Sequence, residues 1–291
     1  MDTDHGKEHL TKLMDKILKN LKEINIFIED LILLREGETS NTFTGQINGK
    51  KIILKVFKKF NSNFKTNSYL NKDTLTELSN KKLHPKVLYK NKLKGILIYE
   101  YHDTLLCKKD NMFFKKLGNR LKEIHELKNK KNIHTFNEQI DAYKKILNTN
   151  KLPKVYTKLN ALIKMSKTNN QQNVFSHNDL NPTNILFNKN ICFIDYEYAS
   201  LNNKFFDISK IMLSFDMKPN EQNVFLESYG IKNHIDIKEK ILLWKQINLY
   251  IDYIWSLIME NIHSKEQNSS KSKIIFNRIK QLEQQIKLKK L

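Results

Sequence analysis

The sequence predicts an α+β chain in two lobes, a small β-rich lobe over residues 1–101 and a larger, mainly helical lobe over 102–291. Three observations predict it. Hydrophobic period changes from helical to strand-like after the first two dozen residues and becomes helical again beyond Tyr101. No apolar run reaches the ~18 residues of a membrane span, so the apolar residues, 40% of the chain, are available for a core. Within the helical half, a polar Asx-rich loop, Ser176 to Leu186, runs into a short apolar segment, Ile191 to Ile194, that suits a buried strand and is too short for a helix.

Taken in order, Leu10, Leu13, Met14, Ile17, Leu18 and Leu21 recur at helical spacing and predict an amphipathic opening helix. Phe27–Leu34, Thr42–Ile47 and Lys51–Phe57 read as three strands, the last two joined by an Asn48-Gly49 hairpin turn. Gly37 to Phe43 reads as a small polar loop between the first two. Two further short strands, Lys86–Tyr89 and Gly95–Tyr99, follow Pro85 and complete a five-stranded lobe. Phe113, Phe114, Leu117, Leu121, Ile124 and Leu127 share one face of a core helix over 110–127, in which His125 reads as a hydrogen-bonded structural histidine. Residues 132–172 form a polar helical insertion broken at Lys151-Leu152-Pro153. A last aromatic-rich helix covers 241–255.

The chemistry concentrates in one stretch. Asp179 and Asn184 lie five positions apart on the loop, and Asp195 ends the Ile191–Ile194 strand. Transfer of a nucleotide's terminal phosphate needs a base near the acceptor hydroxyl and hard oxygen ligands for magnesium. Asp179 suits the first role, Asn184 and Asp195 the second. Pro182 denies the loop a helical alternative.

The formal charge of +20 raises the possibility of a nucleic-acid binder, but only three of 51 basic residues are arginine, Arg35, Arg120 and Arg278. Base readers and phosphate clamps rely on the planar arginine fork, and no basic run here is interleaved with stacking aromatics. The charge therefore reads as a lysine and asparagine bias that can still draw in anionic nucleotides. Two cysteines, Cys107 and Cys192, make neither a disulfide framework nor a metal cluster, and Cys192 reads as packing in the buried strand. With a charged start lacking a secretory core, the expectation is a cytoplasmic protein with reduced thiols and no membrane insertion. Nothing in the pattern specifies an oligomeric state.

His177-Asn178-Asp179 with Asn184, then Ile194-Asp195-Tyr196-Glu197-Tyr198, then Phe206-Asp207-Ile208, resembles the choline/ethanolamine kinase branch of the protein-kinase-like small-molecule kinases. Aminoglycoside phosphotransferases of the same superfamily usually carry Gly where Asn178 stands, and thiamine kinases are also similar. The resemblance implies a two-lobed protein-kinase-like fold, an N-terminal nucleotide-binding lobe and a C-terminal catalytic and acceptor-binding lobe with the active site between them. It implies ATP and Mg2+ and a small amino-alcohol acceptor, choline or ethanolamine, with thiamine or an aminoglycoside as alternatives of the same fold. A basic nucleic-acid-binding protein with a vestigial kinase core is the rival of another class.

Residue by residue, the resemblance assigns Asp179 as base and Asn184 and Asp195 as metal ligands. Thr39, Ser40 and Asn41 cover the nucleotide phosphates, Lys55 holds the α- and β-phosphates, and Glu100 and His102 flank an adenine-binding hinge. The acid that would steady Lys55 falls near Asn71, with Asp73 and Glu77 as candidates. His177 and Asp207 brace the loop, Asp207 by accepting from its backbone. Tyr198, Glu197, Asn181, Asp252 and Trp255 form the acceptor side, with Glu197 acting through metal-bound water or on the acceptor's ammonium. The family's Trp-x-x-Trp-Ser becomes Asp252-Tyr253-Ile254-Trp255-Ser256, and a pocket acid of eukaryotic relatives falls on Ser214. Fewer rings and a relocated carboxylate suit a primary ammonium at least as well as a quaternary one.

Overall fold

The computed structural model describes residues 3–58, 70–104, 108–128, 130–147, 153–167, 173–232, 235–262 and 269–288; Met1-Asp2, Cys107 and Lys151-Leu152 lie outside them. The described chain forms two units, Met1–Lys59 with Lys86–His102, and Phe60–Pro85 with Asp103–Leu291.

In the first unit, helix α1 (Thr3–Lys22) precedes an antiparallel sheet of order β1-β2-β3-β5-β4, made of β1 (Glu29–Glu36), β2 (Ser40–Ile47), β3 (Lys50–Phe57), β4 (Val87–Asn91) and β5 (Ile96–Glu100). Ile17 and Leu21 of α1 pack with Phe43, Ile52, Leu54, Val56, Ile96 and Ile98, so one face of the sheet is closed by the helix the apolar period predicts. Strand alternation then puts Ile53 and Lys55 on the opposite face, with Lys55 paired to Thr42 and Leu97 in the ladder. Asn48 and Gly49 both have positive φ (51° and 71°), as a two-residue hairpin turn with right-handed strand twist requires.

Here one expectation is corrected. The connection between β1 and β2 is only Gly37–Thr39, because Ser40 and Asn41 already pair with Phe57 and Val56 as strand. A bond from the Gly37 amide to the Ser40 carbonyl (2.9 Å) closes the turn that tightly.

The second unit holds α2 (Lys72–Asn80), α3 (Asn111–His125), α4 (Phe136–Leu147), α5 (Pro153–Ser166), α6 (Lys204–Ser214), α7 (Pro219–Tyr229), α8 (Ile235–Ile262) and α9 (Ser269–Leu288). Two small antiparallel ribbons accompany them: β6 (Val174–Ser176) pairs with β9 (Ser200–Asn202), and β7 (Ile185–Phe187) with β8 (Ile191–Phe193). Asn71, at the place where a lysine-pairing acid was expected, instead caps α2 by accepting from the Thr74 amide at 2.8 Å. Among the described residues, no helix is long and apolar enough to cross a membrane.

Arg120 of α3 fixes β8 in place. Its Nε donates to the Ile191 carbonyl at 2.9 Å while its other nitrogens reach the Lys81 and Lys82 carbonyls and Glu123. Only the planar guanidinium can serve so many acceptors at once, which explains one of three arginines in a lysine-rich chain. The Phe193 amide then donates to the Leu83 carbonyl (2.8 Å), so the strand leading to Asp195 is anchored along its length. Cys192 is buried in that strand, and burial pushes its thiol up to about 12, an inert packing group.

Helices α3 and α7 meet where Gly118 has no side chain: a Cβ there would lie 2.4 Å from the Phe225 carbonyl oxygen and 2.1 Å from Ser228 Oγ. Gly118→Ala should therefore cost about 1–3 kcal/mol of overpacking, read as a lower denaturant midpoint with an unchanged slope.

Candidate active site

The loop after β6 is built around Asp207, in the first turn of α6. Its carboxylate is fully buried and accepts from the His177 amide (2.7 Å), the Asn178 amide (2.8 Å) and His125 Nε2 (3.1 Å). Burial pushes this carboxyl up, but the hydrogen bond and charge of His125, with His177, outweigh it and hold the group below its usual range. His125 is itself satisfied on the other side by the Tyr229 hydroxyl at 2.7 Å, so it orients Asp207.

Two residues of the site, Asn178 on this loop (φ 64°) and Asp195 just after β8 (φ 68°), are left-handed. Asparagine tolerates that region better than most residues and is fastened here from four sides. Asn178 Oδ1 accepts from Ser176 Oγ (2.9 Å) and Asn202 Nδ2 (2.9 Å), while its Nδ2 donates to the Tyr198 carbonyl (2.8 Å) and to Ser200 Oγ. The residue before Asp179 is thus tied to the segment that carries Tyr198.

Asp179 receives Asn184 Nδ2 on Oδ2 at 2.8 Å and Asn181 Nδ2 on Oδ1 at 3.2 Å. Asn184 also donates to the Asp179 carbonyl (2.9 Å), which commits its NH2 and leaves Oδ1, a hard acceptor, as the end a cation would use. Burial raises the Asp179 carboxyl, Lys210 and His177 pull it back, and Asp195 and Asp252 add to the rise. Asp195 follows Ile194, whose amide donates to the Asn184 carbonyl (3.0 Å) and whose carbonyl faces His177 Nε2 (2.9 Å). Base candidate and both metal-ligand candidates are therefore gathered on one hydrogen-bonded scaffold. Among the described residues no cluster of three or more His, Cys, Asp or Glu could hold a metal. One carboxylate and one amide oxygen fit magnesium, which keeps waters and takes substrate phosphate oxygens for the rest.

Of the residues expected on the acceptor side, the Tyr198 ring meets Trp255 edge-on at 5.2 Å, and Trp255 meets Tyr143 at 5.7 Å. Gln139 Nε2 donates to the Tyr198 carbonyl (2.9 Å), so helix α4 of the insertion supports this ring group. Glu197 is buried beside it. Burial raises Tyr143, and the charges of Asp179, Glu197 and Asp252 add to that, which groups all four. Asp252 lies one turn from Trp255 on α8, and its Oδ1 is 2.6 Å from Lys210 Nζ. Asn181, expected on the acceptor side, has both ends of its amide engaged within the loop, accepting from the Thr183 amide at 2.9 Å and donating to Asp179. Of the other rings on α8, Trp244 packs against Phe136 and Phe206 in the core, and Tyr253 meets Phe276. Ser214 ends α6.

In the first unit, Lys55 is buried mid-strand at 5% exposure. Thr39, Ser40 and Asn41 are buried around the tight turn, and Glu100 and His102 are half-buried where β5 ends. Of the acids considered for Lys55, Glu77 accepts from the Lys128 amide (3.1 Å) and lies 3.6 Å from Lys81 Nζ.

Lys210, Tyr143, Gln139 and Asn202 were not singled out by sequence. Lys210 follows Asp207 by one helical turn, a spacing that could have marked it had lysine been rare.

The matches to known proteins make this chain a small-molecule phosphotransferase with an alcohol acceptor. The choline/ethanolamine kinase family model matches residues 31–222, and the chain belongs to that family. A LicA homolog of Metamycoplasma hominis is 26% identical over 265 residues, 83% of this chain and 98% of the relative. Choline kinase LicA from Streptococcus pneumoniae superposes with a TM-score of 0.75 at 20% identity, covering 92% of this chain and 97% of that one. A structure of LicA in complex with AMP gives 0.74 at 20% identity, covering 92% and 98%. The protein-kinase-like fold is thereby shared.

Asn178→Gly relieves the backbone but removes the side-chain ties, whereas Asn178→Ala removes the ties and leaves a Cβ in the left-handed region. The alanine variant should be the less stable of the two by about 1 kcal/mol in thermal or denaturant unfolding.

Proposed function

We propose that the protein transfers the γ-phosphate of ATP to the hydroxyl of choline or ethanolamine. The observation that carries this reading is the Asn184 amide held on Asp179 at 2.8 Å, which leaves one oxygen for a cation and one carboxylate for the acceptor hydroxyl. In this reading Asp179 orients the hydroxyl and takes its proton as the oxygen bonds to the γ-phosphorus; the bond from phosphorus to the bridging oxygen breaks and ADP leaves. Asn184 and Asp195 would hold magnesium, which when bound neutralises phosphate charge. Lys55 contacts the α- and β-phosphates, and Thr39, Ser40 and Asn41 lie over them. The AMP held by LicA supports adenine nucleotide use. Tyr198, Trp255 and Glu197 receive the acceptor's cation, the rings contributing about 0.5–2 kcal/mol each according to desolvation.

Magnesium-dependent ADP release with a panel of choline, ethanolamine, thiamine and an aminoglycoside tests the reading. Choline or ethanolamine should give the highest kcat/KM, and preference for another member of the panel refutes the acceptor assignment. Asp179→Ala should lower turnover by about 10²–10⁴ with the fold intact; turnover near wild type dismisses its role. Asp195→Asn removes the charged ligand and should raise the magnesium concentration needed for half-maximal rate by about tenfold or more. An unchanged magnesium dependence removes Asp195 from the metal.

A further inference from the structure

Lys210 is a charged side chain inside the acceptor side that the reaction above leaves without a task. It lies on α6 one turn beyond Asp207 and is 8% exposed, and its Nζ is 2.6 Å from Asp252 Oδ1. A buried ammonium is tolerated only when paired, and this one is: burial lowers its proton affinity, but Asp252 and then Asp179 more than reverse that. Asp252 shares one side of α8 with Trp255, which stacks edge-on with Tyr198 and packs near Tyr143. The carboxylate one helical turn from Trp255 therefore already carries a primary ammonium, supplied by the protein itself.

Resting on the proposed function, we propose that Lys210 is the specificity-determining residue of the acceptor side: its tethered ammonium pre-empts Asp252, so the acceptor's cation is left with the rings of Tyr143, Tyr198 and Trp255 and with Glu197 as its one carboxylate. The two acceptors respond differently to that arrangement. A primary ammonium has three N–H donors and loses a carboxylate partner when Lys210 holds it; a trimethylammonium has no N–H, needs no such acceptor and is bound through the ring faces. Lys210 thus discriminates against the smaller cation by occupying its partner, a repulsive element in the sense that specificity is a difference of two affinities. It makes the pocket more selective for quaternary ammonium than the missing Trp at position 252 alone suggests.

The test is the ratio of KM for ethanolamine to KM for choline in the full chain. Lys210→Gln and Lys210→Met should lower that ratio by about fivefold or more, with kcat for each acceptor within about threefold of wild type, while Lys210→Arg keeps the wild-type ratio. A ratio unmoved within about twofold in a folded Lys210→Gln protein overturns the inference, as does a kcat loss common to both acceptors, which would mark a role at Asp179 instead. Adding Asp252→Asn to Lys210→Gln removes the freed carboxylate without stranding a buried ammonium. The ratio should return to within about twofold of wild type, and a ratio that stays lowered would mean that Asp252 is not the group Lys210 withholds and would overturn the inference. If the wild-type protein phosphorylates neither compound, the proposed function falls and this inference with it; turnover of both with an unmoved ratio sinks only the role of Lys210.

Discussion

The site depends on one buried carboxylate. Asp207 holds two successive backbone amides, those of His177 and Asn178, and a histidine edge, at distances of 2.7 to 3.1 Å. Three donors, and its place in the first turn of α6, offset the desolvation of a fully buried charge. That clamp fixes the backbone one residue before Asp179, so the direction of the catalytic candidate is set by peptide geometry. His177 passes the constraint on, because its ring meets the Ile194 carbonyl and accepts from the Asp179 amide (3.3 Å). Loss of the carboxylate would release the loop and the end of β8 together.

Left-handed backbone at two non-glycine residues is the cost of this arrangement, of order 1–3 kcal/mol each, and persists only where surrounding bonds over-determine it. Asn178 meets that condition with both ends of its side chain engaged. Asp195 meets it through Ile194, tied to Asn184 and to His177. Asparagine at 178 is more than a glycine substitute: its Nδ2 reaches the Tyr198 carbonyl, which also receives Gln139. Loop geometry and ring placement are consequently coupled through one carbonyl oxygen.

Much of this was legible in the sequence where a residue type has few alternative uses. The Asn48-Gly49 turn, the strand into Asp195, the pairing of Asp207 with the loop and the α3 core face all follow from period or from motif. What escaped was tertiary. The Gly37–Phe43 stretch reads as loop because its residues are polar, yet β-branched Thr42 and the ladder to Phe57 and Val56 pull Ser40 and Asn41 into strand. The acid expected to steady Lys55 falls near Asn71, and the structure gives Asn71 the separate task of capping α2. Asn181 carries a motif position, and the short loop consumes its amide. Lys210 escaped because a buried lysine cannot be told from a surface one in a chain with so many; burial and the Asp252 contact are visible only in three dimensions.

Charge in this molecule is sorted by distance. The chain carries a formal +20, a field that favours the approach of an anionic nucleotide at long range and weakens beyond a Debye length of roughly 8 Å at physiological salt. Around Tyr143 the local balance is opposite: the charges of Asp179, Glu197 and Asp252 all act on its hydroxyl, and Lys210, paired with Asp252, is set against them. In the proposed reaction a cationic acceptor, repelled by the surface at range, would be favoured once beside these carboxylates, where screening is weak. Lys210 sets how much of that negative charge stays uncompensated, and so links the lysine-rich composition, for the most part a matter of surface, to the charge balance around Tyr143, Tyr198 and Trp255.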